Sequence, residues 1–482
     1  MTTVGLQAPT DTEVVRARIG SAWLDGEELY DVRDPYRGDV VAYAPRSTTR
    51  DLDRALEAAV AAKSVMAAMP GYERAAILRR AADLIARRAD TIALAMARET
   101  GKALSDATSE TVRSADTLRL YAEEAVRIKG EHVPMDATSV GAGKIAMVLR
   151  FPVGVVSAIT PFNAPVNVAA HKIGPGIAAG NAIVLKPSPK APLAVHKVVE
   201  AFVDAGLPDG ALNVLYGDAV APGMVSDPRV DFVTFTGSTR VGKLIRAGSG
   251  MKRVALELGG VGPTIIHADA DLDAAAKACG RNAMMLAGQS CVSVQNIFVH
   301  RAVVERFTEL LVEEVRALRF GDPLAKDTDV GTLIDEPAAC RVEAMIGRAL
   351  DGGARLLHQS VGRKGALLGP TLLTQVHPGM DVVSEEIFGP AASVLIYDEL
   401  EPVFASITNS RYGLQCGIYT RSLPVALDAI RRLRTGGVIV NGTSRWRSDQ
   451  MPYGGVKDSG LGREGPKYST AEMTEERFFV FN

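Results

Sequence analysis

Several stretches of this chain set chemically capable side chains beside glycine turns. In Ala255-Leu-Glu257-Leu-Gly-Gly260 a carboxylate closes an apolar run and two glycines follow it. A carboxylate in such a run is costly to bury without purpose. Partial desolvation raises its pKa and suits it to general-base work near neutral pH, while a structural hydrogen bond to the Gly259-Gly260 backbone would also account for it. Gly288-Gln-Ser-Cys291 presents a thiol at the end of a helical stretch that begins at Asp271. A thiolate is a strong nucleophile, but a lone cysteine is more commonly a small buried apolar residue. Composition does not set Cys291 apart from Cys279, Cys340 or Cys416. Thr160-Pro-Phe-Asn163 follows an apolar run and offers either an amide donor for a developing oxyanion or a simple proline turn.

A second group of motifs points to phosphate. Phe232-Val-Thr-Phe-Thr-Gly237-Ser238 reads as a strand, a glycine turn and a helix capped by Ser238. Free N–H groups at such a helix start attract phosphate oxygens. The spacing nearly matches a P-loop, but Leu244 stands where the magnesium-binding hydroxyl belongs, and Gly237 and Gly242 do not fit G-x-G-x-x-G. A phosphate site is compatible with this turn; a P-loop nucleotide hydrolase is not. Lys186 emerges at the carboxyl end of a strand, before Pro187-Ser188-Pro189, where open α/β sheets bind ligands. It can contact a ribose or phosphate, or simply be a solvated strand-end lysine. Glu386 has Glu385 beside it, but neighbours in an extended segment point apart, which argues against a paired-carboxylate site.

The elements that must hold these residues follow from periodicity. Apolar residues at spacings of three and four predict long helices over 51–127. Residues 132–149 read as a pair of strands broken at Gly141 and Gly143. From Phe151, short apolar runs at 153–159, 182–185, 213–215 and 232–235 alternate with helical segments at 166–179, 193–205 and 239–247. That alternation predicts a parallel sheet covered on both faces. A second alternating series from Pro263 to about Val440 predicts another α/β unit. The apolar tail 476–482 reads as a strand needing a partner edge, supplied by 132–149 or by another subunit.

Taken in order, these motifs resemble the aldehyde dehydrogenase superfamily. The resemblance rests on Thr160-Pro-Phe-Asn163, Lys172-Ile-Gly-Pro175, Ala179-Gly-Asn181, Lys186-Pro-Ser188, Phe235-Thr-Gly237-Ser238, Glu257-Leu-Gly-Gly260, Gly288-Gln-Ser-Cys291, Glu386-Ile-Phe388-Gly-Pro390 and Pro452-Tyr-Gly-Gly455-x-Lys-x-Ser-Gly460-x-Gly-Arg-Glu464. It spans nearly the whole chain. It implies that Cys291 attacks the aldehyde carbonyl, that Asn163 and the Cys291 N–H form the oxyanion hole, and that Glu257 activates water to hydrolyse the resulting thioester. Lys172 is similar to a lysine that assists proton movement. The cofactor implied is NAD or NADP: Ser238 on its pyrophosphate, Lys186 on the adenosine ribose, Glu386 on the nicotinamide ribose, and Phe388 lining the nicotinamide pocket. Thr160, Pro161, Ser188, Pro189, Gly217, Thr236, Gly237 and Leu258 complete the implied contacts.

Two departures matter. Pro189 stands where the family often has a ribose-binding glutamate that repels a 2′-phosphate, so NADP is admitted beside NAD, and Lys190 would favour it. Phe162 replaces the usual tryptophan before Asn163 and keeps an aromatic wall. A branch of the family that passes the thioester to coenzyme A lacks the base at Glu257, so its presence argues for a free acid product. On the substrate side, Arg113, Arg445 and Arg447 can pair with a carboxylate, phosphate or phosphonate, or anchor the late loop. The substrate expected is a small polar or anionic aldehyde, with an aromatic aldehyde as the alternative.

The bulk properties agree. A formal charge of −2 gives no general attraction to nucleic acid or anionic membrane. No run of apolar residues is long enough to span a bilayer, and the N-terminus lacks an apolar leader core. The four cysteines form no C-x-x-C pair, so neither a zinc site nor a disulfide framework is suggested and a reducing cytoplasm is expected. At 482 residues more than one domain is expected. The resemblance implies a Rossmann-type cofactor domain over 1–130 and 151–257, an α/β catalytic domain over 258–466, and a β oligomerisation arm from 131–150 and 467–482, giving a homodimer or homotetramer.

Overall fold

The alternation of apolar strands and helices from residue 151 onward builds a doubly wound sheet, seen in a computed structural model that describes residues 12–360 and 362–482. Residues 1–11, part of the N-terminal stretch read as lacking a leader core, lie outside the described residues. Five strands run parallel in the order Leu212–Val214, Ala182–Lys186, Val155–Ile159, Phe232–Thr236, Arg253–Glu257. Numbered along the chain this is 3-2-1-4-5, so the connection reverses direction between Val155–Ile159 and Phe232–Thr236. Ligands of open α/β sheets lie at the carboxyl ends of the strands flanking such a reversal. All residues of Val155–Ile159 and Ala182–Lys186 are buried, as expected of parallel strands covered on both faces.

Antiparallel strands extend this sheet at both edges: Ala17–Ile19 and Ala22–Leu24 at one, Gly460–Leu461 at the other. Glu13–Val14, Leu29–Arg33 and Val40–Pro45 form a separate small sheet, and the sequence reading, whose helices begin at residue 51, assigned no strand to this N-terminal region. The long helices expected over 51–127 are present as Thr49–Ala68, Gly71–Arg87, Ala89–Thr100 and Leu104–Ala125, which follow one another. Thr48 and Asp51 close a reciprocal capping box that fixes the first helix start.

Helix Pro165–Ala179 runs through the centre of this half. Every residue in it is buried, so it is apolar nearly all round rather than on one stripe, and Gly180 in the left-handed conformation ends it. Each fully buried Val or Ile on it contributes roughly 1.5–3 kcal/mol of hydrophobic stabilisation. It packs between Leu104–Ala125 and Pro466–Glu472, and that setting fixes the position of its one lysine, Lys172.

The second α/β unit is a seven-stranded sheet in the order Arg355–Gln359, Thr371–Thr374, Ala391–Tyr397, Asn296–His300, Pro263–Ile266, Gln415–Tyr419, Gly437–Val440, all parallel except the first. A third sheet joins Glu131–Val133, Ile145–Pro152 and the terminal strand Thr474–Phe481, all antiparallel. Within the chain, the terminal strand therefore pairs with Ile145–Pro152. No helix among the described residues is long and apolar enough to cross a membrane.

Candidate active site

The strand reversal delivers Thr160 to Asn163 and Thr236 to Ser238 to the same crevice. Glu257 ends the neighbouring strand, one register position beyond Leu256 and opposite Thr236. Its carboxyl is buried, and neither oxygen has a partner among the described residues. The hydrogen bond to Gly259-Gly260 offered as a structural account of this residue is thus not made. Those glycines serve a different end. A Cβ on Gly259 would meet the Glu386 carboxylate at 2.3 Å, and one on Gly260 would meet the Cys291 carbonyl at 2.8 Å. Only the absence of side chains lets Glu386 and the Cys291 segment close in.

Cys291 does not end a helix. Helix Leu272–Met284 stops well before it, and the chain turns through Leu286, Ala287 and Gly288, all at positive φ. Gln289 pins this turn: its Oε1 accepts from Ile334 N–H at 2.9 Å and its Nε2 donates to the Leu286 carbonyl at 3.1 Å. Asn163 Nδ2 donates to the Gln289 carbonyl at 2.8 Å, which sets the amide beside the Cys291 segment. Three consecutive left-handed residues, two of them not glycine, are conformational strain of the kind retained at functional sites. Phe388, at φ 49°, is another, and its ring meets Phe162 edge-on at 6.0 Å.

Two cavities meet at Cys291. One, of 330 Å³, is lined by Pro161, Phe162, Thr236, Gly237, Ser238, Leu258, Arg341, Glu386 and Phe388. The other, of 220 Å³, is lined by Asp106, Arg113, Asn167, Arg445, Arg447, Tyr453 and Glu464. Asn163, Thr236, Glu257 and Cys291 face both. A thiol at this junction can attack an aldehyde held on one side while a hydride acceptor waits on the other.

The first cavity has the lining to receive one end of a dinucleotide. Ser238 caps helix Thr239–Gly248, accepting from Val241 N–H at 3.4 Å, and leaves the helix start facing the crevice. The hydroxyls of Thr160 and Thr236 are buried without a partner among the described residues. Glu386 accepts from Gly260 N–H at 3.4 Å, and burial lifts its carboxyl to about 7. Farther along the sheet edge, Lys186 is a buried group, with Nζ donating to Asp218 at 2.7 Å beside Gly217, rather than a solvated strand-end lysine. The Ser188 hydroxyl accepts from Lys190 N–H, Pro189 stands between them, and Lys190 Nζ pairs with Asp335 at 3.0 Å.

Around the second cavity the charges are heavily paired. Lys172 donates to Glu464 at 2.7 Å, and Arg447 donates to the other oxygen of Glu464 at 3.1 Å. Arg113 makes a bidentate pair with Asp449 at 2.7 and 2.8 Å. The Arg445 guanidinium has no hydrogen bond or ion pair among the described residues. Electrostatics then separates two buried carboxyls. Burial pushes Glu257 well above the ordinary range, with the Glu464 charge adding to it and Lys172 opposing. Burial acts on Glu464 too, but Lys172, His171 and Arg447 together hold it well below that range. The environment thus drives the two carboxyls apart, Glu464 toward lower and Glu257 toward higher pH, the pattern that separates acid–base roles. Sequence reading singled out neither Tyr453, whose hydroxyl lies 3.0 Å from Cys291 Sγ, nor Arg341, and gave Glu464 no role. Glu464 and Tyr453 stand within the quoted late motif; nothing in the sequence marked Arg341.

Known proteins share both the sequence and the architecture. Residues 23–479 match the aldehyde dehydrogenase family. A 3-sulfolactaldehyde dehydrogenase of Priestia megaterium is 42% identical over 466 residues, covering 96% of this chain and 97% of that one. Aldehyde dehydrogenase 21 of Physcomitrella patens, solved with the reaction product succinate, superposes with a TM-score of 0.95 at 36% identity over 98% of this chain and 99% of its own. The NADP-dependent glyceraldehyde-3-phosphate dehydrogenase of Bacillus halodurans, solved with NADP, gives 0.94 at 36% identity over 97% and 99%. With the family matched over nearly its full length, the chain belongs to the aldehyde dehydrogenase family and is an NAD(P)-dependent oxidoreductase acting on aldehydes.

Proposed function

We propose that this enzyme oxidises a small anionic aldehyde to the free acid, with Cys291 as nucleophile and Arg445 as the counter-charge for the substrate's anionic group. The observation that carries the substrate reading is that Arg445, alone of the three cavity arginines, is uncommitted. Arg113 is held by Asp449 and Arg447 by Glu464, while the cavity's Glu110 is paired with Lys102. A half-buried guanidinium that faces the Asp106 carboxyl without a hydrogen bond to it can pair with an anion that enters the cavity. The charged lining of the cavity favours an anionic chain over an aromatic ring. The 3-sulfolactaldehyde named for the Priestia relative and the succinate bound to the Physcomitrella enzyme are of this size and charge.

In this reading the Cys291 sulfur attacks the aldehyde carbon. The oxygen left behind faces the free hydrogen of the Asn163 amide and the Cys291 N–H, which has no acceptor among the described residues. Phe388 and Glu386 would hold the nicotinamide end of NAD(P)+, which would supply the hydride acceptor for this oxidation. The thioester that remains on Cys291 meets a water oriented by Glu257, which takes the water's proton, and the Glu464–Lys172 pair lies next to Glu257 to compensate the changing charge. The acid then leaves past Arg445.

We further propose that 1–130 with 151–257 binds the cofactor through Thr160, Pro161, Lys186, Ser188, Pro189, Gly217, Thr236, Gly237, Ser238, Leu258, Glu386 and Phe388, the last two reaching over from the catalytic part 258–466. The arm 131–150 with 467–482 joins copies into a homodimer or homotetramer. Four unpaired cysteines suit a reducing cytoplasm.

The test is reduced-cofactor absorbance with a panel of sulfonated, carboxylated, neutral and aromatic aldehydes, using NAD and NADP in parallel. Cys291→Ala should abolish reduction. Arg445→Leu should raise KM for the anionic aldehydes by about 10–100-fold, the loss of one charge-assisted pair, and leave neutral ones nearly unchanged. A Cys291→Ala enzyme that still turns over, or an Arg445→Leu enzyme equally impaired on all aldehydes, would overturn the respective assignment.

A further inference from the structure

We propose that Tyr453 is a catalytic residue that hydrogen-bonds the Cys291 sulfur and favours its thiolate form, with the Arg447 guanidinium fixing the phenol in place. The proposal rests on the reading of Cys291 as nucleophile and adds what makes its sulfur nucleophilic in a buried site. The Tyr453 hydroxyl lies 3.0 Å from Cys291 Sγ, and the ring is buried against Val292 and Leu414. No other side-chain donor reaches that sulfur among the described residues.

The phenol is held from two sides. The Arg447 guanidinium carbon sits 3.8 Å from the ring centroid, and Arg447 is itself anchored to Glu464 and His171, each at 3.1 Å. The Tyr453 main chain exchanges both hydrogen bonds with Glu464, Tyr453 N–H at 3.0 Å and Glu464 N–H at 2.6 Å. The tyrosine is therefore built into the same frame as the Lys172–Glu464 pair. A ring this constrained keeps its hydroxyl on the sulfur at little entropic cost.

Either atom can donate by geometry alone. Burial holds the Tyr453 hydroxyl well above its ordinary titration range, so the phenol keeps its proton and is the donor once the sulfur is ionised. The ionisation balances simply: the S–H proton passes to water in the open cavity, the sulfur keeps the electron pair, and the phenol O–H stays intact. The groups facing the sulfur are Glu257 at its strand end, Glu386 beyond helix Asp381–Ser384, and Arg445 and Arg447 on the late loop with Tyr453. Burial and the two carboxyls disfavour the thiolate, lifting the thiol to about 11; the hydrogen bond from Tyr453 is the largest influence acting the other way, ahead of Arg447.

The experiment is the pH profile of iodoacetamide alkylation on the full chain, wild type against Tyr453→Phe, read at Cys291 by peptide mass spectrometry. The exposed Cys340 serves as internal control. Loss of the hydroxyl should raise the Cys291 midpoint by about one pH unit and slow its alkylation at neutral pH by about tenfold, the size of one charge-assisted hydrogen bond. Cys340 should react as before. The acid limb of kcat for aldehyde oxidation should move up in parallel, with KM changed by less than about twofold. A tyrosine that only fills space would leave the Cys291 midpoint unmoved, and that result would overturn the proposal. Failure of the nucleophile assignment is separate, since it would show as aldehyde oxidation surviving Cys291→Ala.

Discussion

At the scale of single residues the site is governed by which buried charges are satisfied. Lys172, His171 and Arg447 hold the Glu464 carboxyl well below its ordinary range against burial, whereas burial and the Glu464 charge push Glu257 well above it and outweigh Lys172. The sign follows directly. A carboxyl whose folded pKa is raised contributes stability while protonated and loses it as pH rises, and its base form grows over the same interval. Thioester hydrolysis by Glu257 should thus accelerate with pH above the ordinary carboxylate range. Glu257→Gln preserves volume and removes the base. We expect it to give a burst of reduced cofactor followed by a steady state slower by about 10²–10⁴-fold, no longer rising through that interval. A steady state with wild-type rate and pH dependence would remove Glu257 from the hydrolytic step. Residues of this kind were readable in the sequence where a motif isolates them: Glu257 by its two glycines, Asn163 by its prolines. Tyr453 and Arg341 were not, because their importance lies in what they touch across the fold, and a late-loop tyrosine or a helix arginine looks ordinary along the chain.

At the scale of elements the decisive feature is the turn that leads to Cys291. Met284, Met285, Leu286 and Ala287 are good helix formers, so periodicity extends helix Leu272–Met284 toward the cysteine. The fold ends it instead, because Gly288 at φ 70° lies under the Gly389 carbonyl, where a Cβ would come within 1.9 Å. Local propensity loses to a close backbone approach that only tertiary structure creates. Gly288→Ala should therefore do more than add left-handed strain of about 1–3 kcal/mol. It must push the 388–390 segment away and with it Phe388 and Glu386. Raised KM for the cofactor together with a lowered thermal midpoint is the expected signature, and unchanged values of both would show the turn to be adaptable. The N-terminal strands escaped sequence reading for the complementary reason. Ala17–Ile19 and Ala22–Leu24 are three residues each, too short for alternation to register, and they exist because the edge at Leu212–Val214 offers them a ladder.

At the scale of the whole molecule the unbalanced feature is the arm. Register pairs Phe481 with Ile145 and Phe479 with Met147, so these four side chains share one face of the three-stranded sheet, and Phe481 and Ile145 are 60% and 57% exposed. A small sheet with an apolar face needs something packed against it to be stable. Burying each phenylalanine against a partner would contribute roughly 1.5–3 kcal/mol, so a few such contacts repeated by symmetry suffice to hold copies together. The tail was readable as a strand needing an edge, and the fold meets that need internally through Ile145–Pro152; what the sequence could not reveal is that the pairing leaves the apolar face uncovered. Placing charge on that face tests the association we propose. The double variant Phe479→Glu, Phe481→Glu should sediment at the mass of a single chain, where wild type sediments as a dimer or tetramer. Its cofactor affinity should remain, because neither phenylalanine belongs to the sheets that position Ser238 and Glu386 or lines the cavity beside them. A wild type that sediments as one chain would sink the oligomeric assignment and leave the exposed phenylalanines to be explained by some other partner surface.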